Sequence, residues 1–329
     1  MTRGLLLPQL GDDPVGLSTR AETLGYDSVW LGELWWNSSV VTLTRIAEHT
    51  ETIGLGTAIL NVFSRTPAVL AMTAASIDRA SDGRFTLGVG TSTPKAVEDL
   101  HGMEFDNPVR RAHEAIDLTK RFLSTEGQVD YDGEVFHAAD FPSLGADVPV
   151  YHAALGKANR RVVARLCDGW IPHNVPFPDL EEAFDYIREH TPEDRDADDI
   201  TVMPYVPSAV SDDGEEARDA VRGHIAYYVG NGEGYRKAVG GRFPDEAERV
   251  AAAWREGDRS EAADRVTDEM VDALGVAGTP EEAREQFDAV EALDAVDLPL
   301  VTIPNNAAEL AEQTIETLAP DPSPDATST

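Results

Sequence analysis

Strand-like runs alternate with amphipathic helical stretches along almost the whole sequence, and this alternation limits the fold more than any other feature. "RGLLLPQL" precedes a helical stretch through "RAETLGY", and "DSVWLGE" precedes "TLTRIAEHTETI". "GLGTAIL" leads into "AVLAMTAASIDRAS", and "RFTLGVG" into "PVRRAHEAIDLTKRFLS". "DVPVYHAAL", "DGWIPHN", "ITVMPYVPSAV" and "LPLVTIPN" are each followed by a helical pattern as well, which makes eight units. Repeated strand–helix units imply parallel strands with right-handed crossovers. Several of the strands are apolar at consecutive positions, as strands buried on both faces are. Eight such units predict an α/β protein of the (β/α)8 TIM-barrel class. One domain is expected over residues 1–318, followed by an acidic, proline-containing tail at 319–329 too polar to order.

Two segments exceed the repeat. Between Thr125 and Val148, "GQVDYDGEVF" alternates like a β-hairpin with Asp132-Gly133 at its turn, an insertion after the fourth strand. Residues 230–297 are polar and read as helical, an insertion between the seventh and eighth strands. There Thr279, Pro280 and Glu282 have the spacing of a capping box with proline in the first helical position.

Charge narrows the setting. The chain carries 60 acidic and 27 basic residues, for a net charge of −33, and the acids are spread along its length. Such a surface suits a salt-rich cytoplasm, where screening offsets the self-repulsion; the composition is that of a halophile. The same charge argues against nucleic acid and anionic membranes as partners. No apolar run reaches the ~20 residues that span a bilayer, and the N-terminus lacks a signal-peptide pattern, so a cytoplasmic location is expected. Cys167 is the one cysteine in the sequence, which excludes an internal disulfide.

In a barrel, the C-terminal ends of the strands carry the chemistry. "SDGRFTLGVGTSTPK" ends its strand in Gly88-Val89-Gly90, but no third glycine follows and no helix opens at once, so it is not a dinucleotide fingerprint. Two readings remain: tight packing between strands, or close approach of a flat ligand. "HAALGKANRRVVAR" places Gly156 just before a helix that carries Lys157, Arg160, Arg161 and Arg165. The free first-turn amides of such a helix suit an anion, so the segment reads as a phosphate cradle or as a solvated basic face. His152 and His173 end the fifth and sixth strands, but the His-x-His and late acid of a metal-hydrolase barrel are missing, so no metal is expected.

Taken together, "AETLGYDSVWLGE", "LGTAILNVFSRTPAVLAMTAASIDRASDGRFTLGVGTS", "PVYHAALGKANRRVVARLCDGWI" and "GTPEEAREQF" resemble the bacterial luciferase-like family of flavin and deazaflavin oxidoreductases. The likeness runs from about residue 4 to residue 305. It implies a (β/α)8 barrel with insertions, a homodimer, and hydride transfer between coenzyme F420 and a small-molecule substrate. FMN with oxygen is the alternative chemistry in the family, and a member that binds a flavin without catalysis is a further one. The segment "AILNVFSRTP" is similar to that of the F420-dependent methylene-tetrahydromethanopterin reductases, which implies a cis peptide at Ala58–Ile59.

By the same resemblance, Ala58, Ile59, Gly88, Gly90 and Thr91 border the ring of the cofactor. Ala154, Gly156, Lys157, Arg160 and His173 hold the rest of it. Glu33, Asn61 and Ser92 are the polar groups expected at ring and substrate, with Trp35, Trp36 and Phe63 as apolar walls. Relatives that oxidise alcohols or sugar phosphates carry a His after the second-strand acid and a Glu in the Gly-x-Gly loop. Here Leu34 and Thr93 stand there, so the acid–base pair of alcohol oxidation is missing.

Overall fold

The computed structural model describes residues 2–8, 13–35, 37–124 and 126–320. Trp36 and residues 321–329, expected above as a wall and as a tail, lie outside the described residues. The strands are β1 (Gly4–Leu6), β2 (Ser28–Leu31), β3 (Gly54–Thr57), β4 (Leu60–Asn61), β5 (Phe85–Gly90), β6 (Gln128–Asp132), β7 (His137–Pro142), β8 (Val150–Ala153), β9 (Gly169–Trp170), β10 (Thr201–Val202), β11 (Tyr205–Val210), β12 (Val276–Gly278) and β13 (Leu300–Thr302). The helices that matter below are α1 (Pro14–Thr23), α2 (Ser39–Ala47), α3 (Pro67–Ala80), α4 (Pro108–Leu123), α5 (Lys157–Leu166), α6 (Leu180–Arg188) and α7 (Gly214–Asn231).

The chain divides into two compact units. The first comprises residues 30–171 and 186–201. Its sheet runs β9-β8-β5-β3, all parallel, and β4 also pairs with β5. The expected third strand is thus two pieces, β3 and β4, on either side of a cis peptide bond at Ala58–Ile59. Its core is aliphatic and aromatic: Leu55, Leu60, Leu70, Phe85, Leu87 and Trp170 are all almost fully buried. Asp82 and Gly83, with φ of 53° and 84°, turn the chain into β5. Arg84 of the same motif is spent on structure, donating to the carbonyls of Ala47, Thr50, Ile53 and Ser81. A cation over the carbonyl end of α2 is favourable, and this one ties α2 and α3 to the start of β5.

The hairpin insertion is present as β6 and β7, but its connection is longer than an Asp-Gly turn. Residues 133–136 form the loop, and the buried Glu114 carboxylate of α4 accepts from the N–H groups of Glu134, Val135 and Phe136 at 2.9–3.0 Å. Burial alone would raise the Glu114 pKa; the three backbone donors outweigh it and hold the carboxyl below its ordinary value.

The second unit comprises residues 1–29, 172–185 and 202–329 and holds the parallel sheet β1-β13-β11-β12. Here the expectation for residues 230–297 needs correction, because the helical insertion contains β12. Three residues are too few to show a period. Their strand is settled instead by pairing with β11 and by Gln286, whose side-chain amide both donates to and accepts from Ala277 on its other side. That covers a sheet edge with a side chain. The capping contact after Gly278 is as expected: the Thr279 N–H donates to Glu282 Oε2 at 2.9 Å, with Pro280 opening the helix Pro280–Glu291. Apolar residues of α7, Pro244–Arg255 and β11 pack into one cluster with Met270 and Val271.

Candidate functional site

The site is built at the C-terminal strand ends of the first unit. β3 and β5 approach so closely that a Cβ on Gly88 would stand 1.8 Å from the Thr57 carbonyl oxygen. The Thr57 hydroxyl also bridges the Gly88 N–H and C=O, at 2.9 and 2.8 Å. The close approach Gly88 permits is therefore that of a neighbouring strand, the first of its two sequence readings. Gly90 is less constrained, since a Cβ there would meet the Ile59 side chain at 3.1 Å. Thr91 and Ser92 follow β5, half-buried, and Ser92 has a φ of 58°. A serine in this left-handed conformation is unusual and turns the chain sharply away from the strand.

Glu33, half-buried just after β2, has two fixed partners. Its carboxylate pairs with Arg65, and Oε2 accepts from the Ser39 N–H at 2.9 Å and the Ser39 hydroxyl at 3.2 Å. The carboxylate thereby serves the N-terminus of α2, where the Ser38 side chain makes no capping bond. Arg65 was not foreseen: it lies 32 positions away, and no local pattern links the two. Asn61 is buried, and its Oδ1 accepts from the N–H groups of Phe63 and Ser64 at 3.1 and 2.7 Å. The amide thus braces the turn after β4 rather than the cis bond before it, while Nδ2 faces His101 Nε2 at 3.3 Å. Phe63 is buried, stacked on Phe105 at 5.1 Å, with the Arg111 guanidinium 4.7 Å from its ring. Trp35 is 60% exposed, unlike a buried wall.

At the end of β8, His152 is fully buried. Its Nδ1 lies 3.2 Å from the Val89 carbonyl, and the Asn159 side chain faces the ring. Burial lowers its pKa, so the ring is neutral. Ala154 is buried too, and its carbonyl accepts from Trp170 Nε1 at 2.7 Å. Gly156 then opens α5 without a capping side chain, and nothing lies within 4 Å of where its Cβ would be. The first-turn N–H groups of α5 have no partners inside the helix. Lys157 stands beside them with its Nζ 5.3 Å from the Tyr186 ring, and the Arg160 guanidinium lies 5.3 Å from Trp170. An open helix N-terminus flanked by cations suits an anion in both geometry and charge.

His173 belongs to the second unit. It is buried in an aromatic cluster, its Nε2 3.4 Å from His224 Nε2, with Tyr205 and Tyr228 at ring distances of 4.4 and 4.3 Å. Burial and the neighbouring His224 push its pKa well below the usual value, and burial drives His224 down to about 3. Beside them Asn174 has a φ of 56°, and both polar atoms of its side chain are buried without a partner. Among the described residues no group of three or more metal-ligating side chains is assembled, and no helix is long and apolar enough to cross a membrane.

Relatives carry the same architecture. A coenzyme F420-dependent tetrahydromethanopterin reductase structure from Methanopyrus kandleri matches with a TM-score of 0.82 at 24% identity, covering 97% of each chain. That likeness establishes the fold as the α/β TIM-barrel class. Among curated sequences, a 5,10-methylenetetrahydromethanopterin reductase of Archaeoglobus fulgidus is 30% identical, over 81% of this chain and 82% of its own. A Mycobacterium tuberculosis protein that carries the name of a coenzyme F420-dependent oxidoreductase is 28% identical over 89% of this chain and 92% of its own. The family model for luciferase-like monooxygenases matches residues 11–296. With the family model spanning most of its length, this chain belongs to the luciferase-like family.

Proposed function

We propose that the chain is an F420-dependent oxidoreductase that moves a hydride between the deazaflavin and a small organic substrate. The observation that carries this reading is the open N-terminus of α5 beside Lys157, a place suited to an anion in a chain of net charge −33. The names of the F420-dependent relatives favour the deazaflavin as its owner. The residues fit such a group. The α5 amides, Gly156, Lys157 and Arg160 would take its phosphate, next to Ala154. Ala58, Ile59, Gly90 and Thr91 would border the ring, and His152 is a buried polar group on the same strand ends. When bound, coenzyme F420 supplies a two-electron hydride donor or acceptor.

The chain's own residues then orient and desolvate. Glu33 is tied to Arg65 and Ser39, so it positions α2. The Ser92 hydroxyl is left to contact substrate, together with the Asn61 amide hydrogen that is not turned to His101. With Leu34 and Thr93 in place of an acid–base pair, reduction of an activated carbon–nitrogen or carbon–carbon double bond suits the site better than oxidation of an alcohol. Methylenetetrahydromethanopterin, the substrate in the names of the archaeal relatives, is the first to assay.

Titration with F420 and with FMN, followed by fluorescence quenching in high salt, tests the cofactor. Tight F420 binding that Lys157→Ala and Arg160→Ala each weaken about tenfold, the worth of one charge-assisted contact, is the expected result. FMN binding alone would favour the monooxygenase chemistry in the family model's description. Cofactor binding without turnover of any acceptor would leave a non-catalytic binder. The reading includes a homodimer through α2 and α3. Val41, Val69 and Met72 are 62%, 40% and 51% exposed there, and neither Leu34–Ala47 nor Thr52–Ile77 contains one acidic residue. Light scattering that shows a monomer would remove the dimer from it.

A further inference from the structure

Thr93, which stands in the Gly-x-Gly loop where alcohol oxidation would want an acid, is taken up by the backbone: its hydroxyl accepts from the Ala96 N–H at 3.3 Å. The chain then enters a π-helical turn, Lys95–Leu100, rather than an α-helix. The His101 N–H reaches back to the Ala96 carbonyl at 3.3 Å, the wide spacing of such a turn, and Gly102, with φ 63°, ends it. π turns are rare and concentrate at functional sites. One extra residue in a turn rotates the side chains that follow by about 100° around the axis. Here Ala96 and Val97 stay buried, while the exposed His101 is brought to Asn61 of β4.

That contact has one chemically consistent form. Asn61 Oδ1 is committed to the N–H groups of Phe63 and Ser64, so the amide cannot turn over. Its Nδ2, which only donates, therefore faces His101 Nε2 at 3.3 Å. Nε2 must accept, which leaves the ring proton on Nδ1. An exposed ring thus presents an N–H beside the strand ends where Asn61 pairs with Gly90 and where Thr91 and Ser92 follow. All of these residues belong to the first unit.

We infer that His101 is a catalytic residue of this site. Its Nδ1–H donates a hydrogen bond to the substrate nitrogen or carbonyl oxygen on which charge gathers as the double bond is reduced. Asn61 is the positioning residue that holds the ring in this donor form. The inference rests on the oxidoreductase reading above. As the substrate carbon gains a hydride from the reduced cofactor, a C–H bond forms and the π electrons move toward the heteroatom, which takes its proton from water. Water regains that proton from the N–H that the reduced cofactor loses. His101 keeps its own proton and stabilises the developing charge, as a donor already in place does without reorganising.

The test joins ring spectroscopy to kinetics on the full-length protein. Long-range proton–nitrogen correlation spectra, with the His101 ring identified by its absence from His101→Phe, should show the proton on Nδ1. Asn61→Asp still accepts from Phe63 and Ser64 but turns an oxygen toward Nε2, so it should move a proton onto Nε2. A ring with its proton on Nε2 in the unmodified protein overturns the inference. Fluorescence quenching should give the same F420 dissociation constant for His101→Phe as for the unmodified protein. Cyclohexenone, methylpyrroline and methylenetetrahydromethanopterin are offered as acceptors. On whichever is reduced, kcat should fall about 10- to 100-fold in His101→Phe, less than for the loss of a fully buried oxyanion donor. His101→Gln, which can both accept from Asn61 and donate, should recover part of that. An unchanged kcat in His101→Phe, or a loss that appears only as weaker F420 binding, overturns the role of His101 and leaves the F420 reading in place. Failure of F420 to bind the unmodified protein, or binding without reduction of any acceptor, overturns the oxidoreductase reading, and the role of His101 with it.

Discussion

Three glycines at the candidate site should respond differently to alanine, because each is a glycine for a different reason. At Gly88 the new methyl carbon would sit 1.8 Å from the Thr57 carbonyl oxygen, far inside ordinary contact. β3 and β5 would have to part by more than an ångström, at the place where the Thr57 hydroxyl holds the Gly88 N–H and C=O. Overpacking of this kind costs about 1–3 kcal/mol, and a buried backbone group left unpaired about 1–3 kcal/mol more. The sum is roughly 2–6 kcal/mol, which at about 2–4 °C per kcal/mol is a fall in melting temperature of about 4–24 °C. Gly90→Ala meets the flexible Ile59 side chain at 3.1 Å and should cost under about 1.5 kcal/mol. At Gly156, with φ −80° and open space around the Cβ position, alanine should change stability by no more than the about 1 kcal/mol by which glycine is the better cap. Yet its methyl group would intrude on the anion site and weaken F420 binding. Calorimetry and cofactor titration on the same three variants separate the two effects. A stable Gly88→Ala protein with weakened cofactor binding would refute the strand-packing account and restore Gly88 to the ring.

The net charge of −33 predicts a melting temperature that rises steeply from low salt to molar potassium chloride; a flat profile in a thermal melt would remove the halophilic reading. Buried His173 and His224 have folded-state pKa values below their unfolded value near 6.5, so the unfolded chain takes up protons first as pH falls. Their contribution is fully present above pH 6.5 and is lost on acidification, for His224 down to about pH 3, at about 1.4 kcal/mol per pH unit per histidine. His224→Gln should therefore flatten the decline in chemical-denaturation stability between pH 6.5 and 4.5, and an unchanged slope would count against the buried neutral pair. Glu114→Gln removes the charge from an acceptor of three backbone N–H groups and should cost about 1.5–3 kcal/mol, with faster hydrogen exchange confined first to the amides of Val135 and Phe136.

Much of the architecture was legible in the sequence, because burial on both faces writes apolar runs and crossover helices write a 3.6-residue period. The eight units, the Thr279 capping contact, the Asp82-Gly83 turn and the opening of α5 at Gly156 all follow from local chemistry. The short strand β12 was not legible: three residues carry no period, and what makes them a strand is β11 on one side and Gln286 on the other. The four-residue loop of the hairpin was hidden for a similar reason, since it is shaped by a carboxylate on α4 about twenty residues away. At the site, sequence alone placed Glu33, Asn61 and Gly88 at strand ends, because position along a strand is a local property. Their partners are not local. Arg65 neutralises Glu33, the turn at Phe63–Ser64 consumes one side of Asn61, and the Thr57 carbonyl fills the space that Gly88 leaves. Composition determined the charge of the surface, but only the tertiary structure decided which cations lie together, because α4 and α5 bring Arg110, Arg161 and Arg165, distant in sequence, to the same gap.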